Sequence, residues 1–282
     1  MSFQSLCNPS FINTVVLGGS ARQKVAAARA AGFDQIELWR EDLDGYEGDA
    51  EAFGKWIRQQ SVALTDYQPL RDFDGAPDVA RESKRAEALS MLDMAVKLGS
   101  TTVLTTASSD LRCLANRIDE DMCWLAREAA SRSLKIAYEA VAWSTVNYTL
   151  KATWELVQRL AEPNLGLVVD TFHIFARNCD ARELAGIPMD RIFLVQLSDV
   201  NLDQILHPES ERYRENVLQV ARHQRLLPGQ GQLPIESILH PLREANYLGP
   251  VGVEVFNDGL KALNPEEVAR EAFSALQRVW PK

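Results

Sequence analysis

Four residues with oxygen-bearing side chains lie at or near the ends of successive apolar runs in the second half of the chain. They are Glu139, Asp170, Gln196 and Glu254. The run that ends at Asp170 is small, apolar and partly β-branched, which is typical of a strand buried on both faces. Carboxylate and amide oxygens are hard ligands that suit Mg²⁺, Mn²⁺ or Co²⁺ better than a thiolate-type zinc site does. A single acid at a strand end is readily explained as a solvated loop residue, but four in successive positions predict one divalent metal site.

The elements that must position these residues alternate between short apolar runs and longer amphipathic segments. The predicted strands are residues 14–17, 35–39, 62–67, 102–105, 136–139, 167–170, 193–196 and 251–255. Eight strands, each followed by helical sequence, predict an α/β fold of the (β/α)8 TIM-barrel type. We expect this barrel to form one catalytic domain over residues 1–282. The alternative is a doubly wound sheet, but only Gly18-Gly19-Ser20 follows the first strand, without a glycine-rich phosphate loop.

The longest stretch without a clear pattern lies between the last two predicted strands, at residues 201–233. In a barrel this position is on the face where catalysis takes place, because the loops after the strands form that face. Loops of this length in a compact domain are typically lids or binding loops. We therefore expect part of this stretch to contact a ligand.

Composition and charge narrow the classes of partner. The net charge of -9 argues against a nucleic-acid partner, which requires a basic face, but a few local arginines can still attract an anionic small molecule. No apolar run reaches the ~18 residues that a membrane span needs, and the N-terminus lacks the features of a signal peptide. The four cysteines have no close-paired spacing, so we expect reduced thiols in a cytoplasmic protein.

The order Glu, Asp-x-x-His, Gln, Glu at the ends of the last four strands resembles the xylose-isomerase-like family of sugar isomerases and epimerases. Within it, local stretches are similar to bacterial 3-dehydroshikimate dehydratases. The stretches are Tyr67-Gln68-Pro69-Leu70-Arg71-Asp72-Phe73-Asp74-Gly75, Ile136-Ala137-Tyr138-Glu139-Ala140-Val141-Ala142-Trp143, Asp170-Thr171-Phe172-His173-Ile174, and Arg222-His223-Gln224-Arg225-Leu226-Leu227-Pro228-Gly229-Gln230-Gly231. The metal pattern is shared by many isomerases, whereas the Gln-Pro-x-Arg-Asp-Phe and Pro-Gly-Gln-Gly segments are more specific.

The resemblance implies a metal-dependent lyase that dehydrates 3-dehydroshikimate to protocatechuate through a metal-stabilised enolate. Its substrate is a small anionic ring. Arg71 is expected to bind the substrate carboxylate through two N–H groups, since the geometry of a guanidinium matches that of a carboxylate. The other interpretation is that Arg71 is a surface arginine paired with Asp72 or Asp74. Substrate-binding roles are also expected for the following residues: Tyr67, Gln68, His223 and Arg225.

His173 has two interpretations that the sequence leaves open. As a catalytic residue it is a general base or a proton relay beside the metal, with Glu139 and Glu254 as further acid–base groups. Alternatively, it only donates a hydrogen bond to a ligand carboxylate. Glu37 and Asp199 are less defined, because each could contact substrate or hold a loop amide.

Rival functions use similar residues. A ketose isomerase or epimerase, such as a hydroxypyruvate isomerase or a sugar 3-epimerase, needs the same metal with Glu139 and Glu254 as paired acid and base; an anion clamp at Arg71 favours the dehydratase. An apurinic-site endonuclease of the same barrel type needs a histidine-rich multi-zinc site and a basic face, and the chain has four histidines. A binding module without catalysis has no need of four metal-type ligands. The chain could form a homo-oligomer, but the sequence does not indicate its oligomeric state.

Two departures from the dehydratase pattern stand out. After Trp143 the chain reads Ser144-Thr145-Val146-Asn147, where many dehydratases have a glycine and a nearby histidine. One polar group of the expected pocket is therefore unassigned. Some family members also carry a C-terminal dioxygenase-like half, which we expect this chain to lack.

Overall fold

Eight parallel strands pair in chain order and close a barrel, with β1 hydrogen-bonded to both β2 and β8. The structure is a computed structural model and describes residues 8–43, 46 and 48–280. The strands are β1 (Ser10–Asn13), β2 (Gln35–Trp39), β3 (Ala63–Leu70), β4 (Thr102–Thr106), β5 (Lys135–Glu139), β6 (Leu165–Asp170), β7 (Ile192–Leu197) and β8 (Val251–Val253). This confirms the predicted (β/α)8 barrel.

The helices surround the barrel and are bounded by signals that the sequence carries. They are α1 (Ala21–Ala31), α2 (Ala50–Gln59), α3 (Asp78–Leu98), α4 (Ile118–Ala130), α5 (Leu150–Leu160), α6 (Thr171–Ala176), α7 (Tyr213–His223), α8 (Glu236–Glu244), α9 (Asp258–Lys261) and α10 (Pro265–Val279). Ser20 and Gln23 form a capping box at the start of α1, and Gly32 ends that helix at φ 102°. These local signals explain why most helix positions could be predicted.

The first strand was predicted at the wrong place. Residues 14–17 are buried and apolar, but Thr14–Val16 forms a turn of 3-10 helix and the strand is Ser10–Asn13. The side chain of Asn13 accepts a hydrogen bond of 2.9 Å from the backbone N–H of Val15, which ends the strand and starts the turn. Apolar content alone does not distinguish a buried strand from a buried turn.

The stretch at residues 201–233 is less irregular than predicted. It contains α7, and α8 follows it before β8. From α7, the guanidinium of Arg214 donates a hydrogen bond to the backbone carbonyl of Ser109, which follows β4. The insertion after β7 therefore reaches the loops of the fourth strand at the same end of the barrel.

The interior of the barrel changes from apolar to polar along most of its strands. Its lower layer is an apolar cluster formed by Phe11, Leu104, Ala137, Val168 and Leu194. A Cβ atom at Gly252 would lie 2.3 Å from the ring of Phe11, so this position of β8 must be glycine to leave room for the cluster. Residues two positions further along a strand point to the same face, and those residues form the polar layer described below.

The expectations about membrane spans and about the cysteines can be compared with the structure of the described residues. None of the described helices is long and apolar enough to cross a membrane. Cys113, Cys123 and Cys179 are free thiols, in agreement with the expected reduced state, and Cys7 lies outside the described residues.

Candidate metal centre and active-site cavity

A layer of buried polar side chains lies directly above the apolar cluster in the barrel. It consists of Asn13, Glu37, Asp66, Gln68, Glu139, Asp170, Gln196 and Glu254, each at most 3% exposed. Several follow a member of the apolar layer by two residues, as Glu139 follows Ala137 and Gln196 follows Leu194. The period of two along a strand therefore brings the four predicted ligands into one layer.

Glu254 is the most heavily hydrogen-bonded carboxylate of this layer. Its Oε1 accepts N–H groups from Asn13 at 2.9 Å, Gln196 at 3.2 Å and Gln68 at 3.4 Å. Its Oε2 lies 3.2 Å from Nη1 of Arg225. These four donors come from different parts of the chain, so the hydrogen bonds of Glu254 connect residues from opposite sides of the barrel interior.

Asp170 and His173 are positioned by the transition from β6 to α6. Oδ1 of Asp170 caps α6 by accepting the backbone N–H of Phe172 at 2.7 Å, and the first turn of the helix then carries His173 back toward the rim. Nε2 of His173 lies 3.6 Å from both Oδ2 of Asp170 and Oε1 of Glu139. One ligand atom from each of these three residues lies within 4.8 Å of the others, so they are close enough to share a metal ion.

Both ring nitrogens of His173 face N–H donors. The backbone N–H of Ala142 points at Nδ1 from 3.1 Å, and Nη2 of Arg225 lies 3.2 Å from Nε2. A neutral imidazole accepts at one nitrogen and carries a proton on the other. Because the backbone donor is rigid, the proton belongs on Nε2, and His173 is then a donor toward the cluster rather than a metal ligand.

Arg225 is a buried cation within the acidic cluster, with 1% of its surface exposed. Its Nη1 donates to Asp170 at 2.9 Å and to Glu254 at 3.2 Å. Its Nε donates to the carbonyl of Ala221, and its guanidinium lies 4.4 Å from the ring centroid of Phe172. The structure places the guanidinium between two predicted metal ligands, and Arg225 also lines the cavity described below, so the substrate contact expected from the sequence stays a prediction.

The protonation of the cluster follows from burial and from crowding of like charges. Burial, and then the charges of Glu254 and Asp170, raise the pKa of Glu139 well above its usual range. Burial raises the pKa of Glu254 to about 7, although Arg225 opposes the shift. Burial lowers the pKa of His173 to about 3, so the imidazole is neutral at pH 7. Crowding of buried carboxyl groups around one guanidinium therefore favours the protonated forms of Glu139 and Glu254, and a bound divalent cation would favour their ionised forms instead.

The hydrogen bonds of the cluster leave two ligand atoms free for such a cation. Oε1 of Glu139 and Oε1 of Gln196 are buried and have no hydrogen-bond partner among the described residues. Nε2 of Gln196 donates to Glu37 at 2.9 Å and to Glu254, so its amide oxygen is the atom left over. Unpartnered buried oxygens are costly unless something binds them, and hard oxygen donors fit a divalent ion such as Mg²⁺ or Mn²⁺.

A second carboxyl pair, Glu37 and Asp66, lies deeper in the same layer. Both residues are fully buried, and both oxygens of Asp66 lack a hydrogen-bond partner among the described residues. Burial, and then the charges of Asp66 and Glu254, raise the pKa of Glu37 well above its usual range. The sequence analysis missed Asp66 and Asn13, although the period of two that places Gln68 in the interior also places Asp66 there.

A cavity of about 540 Å³ opens above the cluster. Its walls include Trp39 and Trp143, and its lining includes Arg71 and Gln68. Tyr67 does not line this cavity and packs in the core outside the barrel, because it alternates with the inward-facing Gln68.

Arg71 lies at the rim of the cavity. It forms an ion pair of 2.7 Å with Glu41, and not with Asp72 or Asp74, and its guanidinium lies 4.9 Å from the ring centroid of Trp39. His223 also lines the cavity, but it is exposed and paired with Asp258 at 2.9 Å. Both side chains therefore face an opening rather than the buried layer.

Asp199 holds the loop that follows Arg225. Its carboxylate accepts the backbone N–H groups of Val200, Gly229 and Leu233 at 2.8–3.0 Å. A Cβ atom at Gly231 would lie 2.5 Å from Oδ1 of Asp199, so the second glycine of the Pro-Gly-Gln-Gly segment makes room for this carboxylate. Of the two roles considered for Asp199, the structure shows the loop-holding one.

The residues that replace the glycine and histidine of many dehydratases have structural contacts. The hydroxyl of Ser144 donates to the carbonyl of Ala107 at 2.9 Å, and Asn147 donates to the hydroxyl of Tyr138 at 3.0 Å. The same Tyr138 hydroxyl donates to Asp74 at 2.6 Å. This segment therefore connects the loops after β3, β4 and β5.

Comparison with known proteins places this geometry in a family. The chain is 35% identical over 255 residues to a 3-dehydroshikimate dehydratase of Pseudomonas aeruginosa, covering 89% of this chain and 38% of that protein. A dehydratase of the same name from Pseudomonas putida is 32% identical, covering 94% and 40%. The chain thus spans about two fifths of the length of these curated relatives. An inosose isomerase of Bacillus velezensis is 23% identical, covering 95% of each chain.

The fold comparison agrees. A solved xylose isomerase-like TIM barrel/4-hydroxyphenylpyruvate dioxygenase fusion protein superposes with a TM-score of 0.88 at 31% identity, covering 96% of this chain and 42% of that one. The family model described as xylose isomerase-like TIM barrel matches residues 25–279. The resemblance noted from the sequence is therefore confirmed, and the chain belongs to the xylose isomerase-like TIM barrel family.

Proposed function

We propose that the chain is a divalent-metal-dependent lyase that removes water from 3-dehydroshikimate and forms protocatechuate (3,4-dihydroxybenzoate). The observation that carries this proposal is a layer of hard oxygen donors below a cavity that has Arg71 at its rim; two of these donors are buried without a hydrogen-bond partner among the described residues. The activity for which the Pseudomonas relatives are named supports the same proposal. We assign the metal to Glu139, Asp170, Gln196 and Glu254, with Mg²⁺, Mn²⁺ or Co²⁺ as the ion.

Arg71 is the proposed anchor for the substrate carboxylate. It is 36% exposed in the side chain, lies against Trp39, and can exchange the carboxylate of Glu41 for that of the substrate. The guanidinium offers two parallel N–H groups to a carboxylate, which fixes the orientation of the ring as well as its position. Gln68 lines the same cavity and ties this loop to Glu254. The anion would therefore be held at the rim while the ring ketone faces the buried oxygens.

The buried layer supplies the acid–base chemistry. When bound, a divalent ion would act as a Lewis acid on the ring ketone and make the neighbouring C–H acidic. Glu139 lines the cavity, and its Oε2, the oxygen not assigned to the metal, is the proposed acceptor of that proton. The protonated Glu139 then returns the proton to the departing hydroxyl, and the Nε2–H of the neutral His173 is the proposed hydrogen-bond donor to that oxygen. This reverses the base role that the sequence suggested for His173, because the Ala142 N–H holds Nδ1 as an acceptor.

The bonds and protons of the proposed reaction balance without a further reactant. A C–H bond next to the ketone breaks and its proton passes to the base, and the C–O bond of the β-hydroxyl breaks as a proton is donated to it. One water leaves, and tautomerisation of the ring then gives the aromatic catechol acid. Neither oxidant nor reductant is consumed, which agrees with a site that needs only hard ligands and acid–base groups.

A ketose isomerase or epimerase remains the second candidate. The weaker similarity to inosose isomerases favours it, as does the closeness of Glu139 and Glu254 in one layer. That function requires proton transfer between adjacent carbons and no carboxylate clamp. The location of Arg71 at the cavity rim favours the dehydratase, because a neutral sugar gives this guanidinium no anionic partner.

The proposal includes a cytoplasmic location, one catalytic domain over residues 1–282 and a small anionic cyclic substrate. The unpaired state of the three described cysteines supports the first. The family match over residues 25–279 supports the second, and the guanidinium of Arg71 at the rim of the cavity supports the third.

One assay separates the candidates. Protein stripped of metal by a chelator is given Mn²⁺, Mg²⁺ or Co²⁺ together with 3-dehydroshikimate, and the absorbance of a catechol acid is followed. We expect product only after metal is restored, and the same preparation should leave an inosose or a ketose unchanged. Turnover of the ketose or inosose without formation of a catechol acid would contradict the dehydratase function and support the isomerase function. Equal rates of product formation in chelator-treated and metal-loaded protein would show that the reaction does not require the metal.

A further inference from the structure

Arg225 occupies an unusual place for an arginine, because it sits among the atoms assigned to a metal. Its Nη1 bridges Oδ2 of Asp170 and Oε2 of Glu254, while Oδ1 and Oε1 of the same two carboxylates accept other N–H groups. Oε1 of Glu254 already accepts three N–H groups, so a divalent ion that binds Glu254 must use Oε2, which Nη1 already contacts, and it meets the same guanidinium at Oδ2 of Asp170. Two cations that share the same two oxygens repel each other.

The contact of Arg225 with His173 is unfavourable in the same arrangement. Nη2 of Arg225 points an N–H at Nε2, while the backbone N–H of Ala142 already points at Nδ1. A neutral imidazole cannot accept both hydrogen bonds. The backbone donor cannot move away, so Arg225 is the partner that can relieve the conflict.

We infer that Arg225 is a displaceable counter-cation of the metal site. It stabilises the metal-free barrel by neutralising Asp170 and Glu254, and it competes with the divalent ion for their oxygens. Its bond to the Ala221 carbonyl and its contact with Phe172 keep the side chain beside the cluster when Nη1 is displaced. Nε2–H of His173 is then released for donation. This inference rests on the metal site of the proposed function.

The competition has two opposite consequences for a neutral substitution. Removing the guanidinium leaves the buried carboxylates without a counter-charge, so the metal-free protein becomes less stable. The same change removes the competitor, so the metal binds more tightly. A residue that merely supports the fold of the site would instead lower both stability and metal affinity, and the two roles can therefore be distinguished without an activity measurement.

The test measures Mn²⁺ affinity by electron paramagnetic resonance of the free ion, and thermal unfolding with and without Mn²⁺. Arg225→Gln should bind Mn²⁺ at least about tenfold more tightly than the wild type, since a like charge beside the ion is removed. Its metal-free form should melt at a lower temperature, and Mn²⁺ should raise that temperature by more than it does for the wild type. Arg222→Gln, a change at an exposed neighbouring arginine, is the matched control and should alter neither quantity.

Arg225→Lys covers the case in which the glutamine variant does not fold without metal. A lysine keeps the charge but cannot hold two carboxylates with the same geometry, so its Mn²⁺ affinity should lie between those of the wild type and Arg225→Gln. Unchanged or weaker Mn²⁺ binding in the folded variants would overturn the inference and leave the metal site intact. A wild-type protein that binds no Mn²⁺ would overturn the metal site itself, and the inference with it.

Discussion

Gln196 donates a hydrogen bond of 2.9 Å from Nε2 to Oε1 of Glu37 across the interior of the barrel. Because β2 and β7 are not neighbouring strands, this bond fixes the side chain of Gln196 independently of the sheet. A second N–H of the same amide points at Glu254. The amide nitrogen is thus held by two acidic residues, and the amide oxygen is the atom available to a cation.

The first prediction concerns Glu37 as a positioning residue. Glu37→Leu should weaken Mn²⁺ binding by about 10–100-fold, because Gln196 loses the acceptor that orients it. Glu37→Gln keeps an acceptor oxygen at this place and should stay much closer to the wild type. Isothermal titration of each variant with Mn²⁺ checks the difference. Equal affinities for the leucine variant and the wild type would show that Gln196 does not need Glu37.

The second prediction concerns the ligands themselves. Glu139→Ala, Asp170→Ala and Glu254→Ala should each lose bound metal and most activity, since each removes a charged ligand, whereas Gln196→Ala should be milder. Metal content after dialysis is the measurement. Asp180→Ala, at an exposed acid outside the cluster, is the control and should retain metal. Retention of metal and full activity in all three carboxylate variants is the result that contradicts the site.

The sequence could place the residues that we assign to the metal because they combine two simple signals. Glu139 and Asp170 each end an apolar run, and parallel strands of a barrel end at one rim. The residues around the ligands carried no such signal. Asp66 interrupts the predicted third strand, and its inward direction follows only once Gln68 is known to face the interior. The same period of two would have placed Tyr67 outside.

Arg225 was more difficult to predict. It follows Arg222, His223 and Gln224, which are exposed, so its local sequence is that of a solvated helix end. Its burial depends on tertiary contacts with Asp170 and Glu254, which are 55 and 29 residues away in the chain. No local pattern carries that information. The displaced first strand has a similar cause, since the cap formed by Asn13 decides where the strand ends.

The third prediction concerns Arg71. Arg71→Lys should raise KM for 3-dehydroshikimate because the bidentate fork is lost, and Arg71→Ala should raise it further. Metal content should not change, because Arg71 lies at the cavity rim. Glu41→Gln is the matched control: it removes the ion pair but leaves the guanidinium, so KM should stay equal or fall. An unchanged kcat/KM in Arg71→Ala would show that another cation binds the substrate carboxylate.

The fourth prediction concerns the pH dependence of stability in the metal-free protein. Burial raises the pKa of Asp66 from 3.8 to about 8. Between these values the folded protein binds more protons than the unfolded chain, so its free energy of unfolding falls as pH rises. The lowered pKa of His173, about 3, acts in the opposite direction, but only below its ordinary value of 6.5.

The measurement is urea unfolding in the presence of a chelator. The free energy of unfolding should fall by at least about 1 kcal/mol between pH 6.5 and pH 8.5. Asp66→Asn removes one titrating group and should make the fall smaller, while the raised pKa values of Glu254, Glu37 and Glu139 keep part of it. A wild-type curve that is flat or rises over the same interval would contradict the prediction.

The last prediction concerns His173 as the hydrogen-bond donor that assists proton transfer to the departing hydroxyl. His173→Ala should lower kcat by about 10²–10³-fold while metal remains bound, because a positioned N–H donor is lost and the ligand oxygens are not. If His173 only orients a ligand carboxylate, the variant should instead lose about 10–100-fold in metal affinity and recover its rate in excess Mn²⁺. A titration of activity against Mn²⁺ distinguishes these cases, and full recovery would remove His173 from the proton transfer. The donor role then passes to a carboxyl group, for which Glu254, with its pKa raised to about 7, is the next candidate.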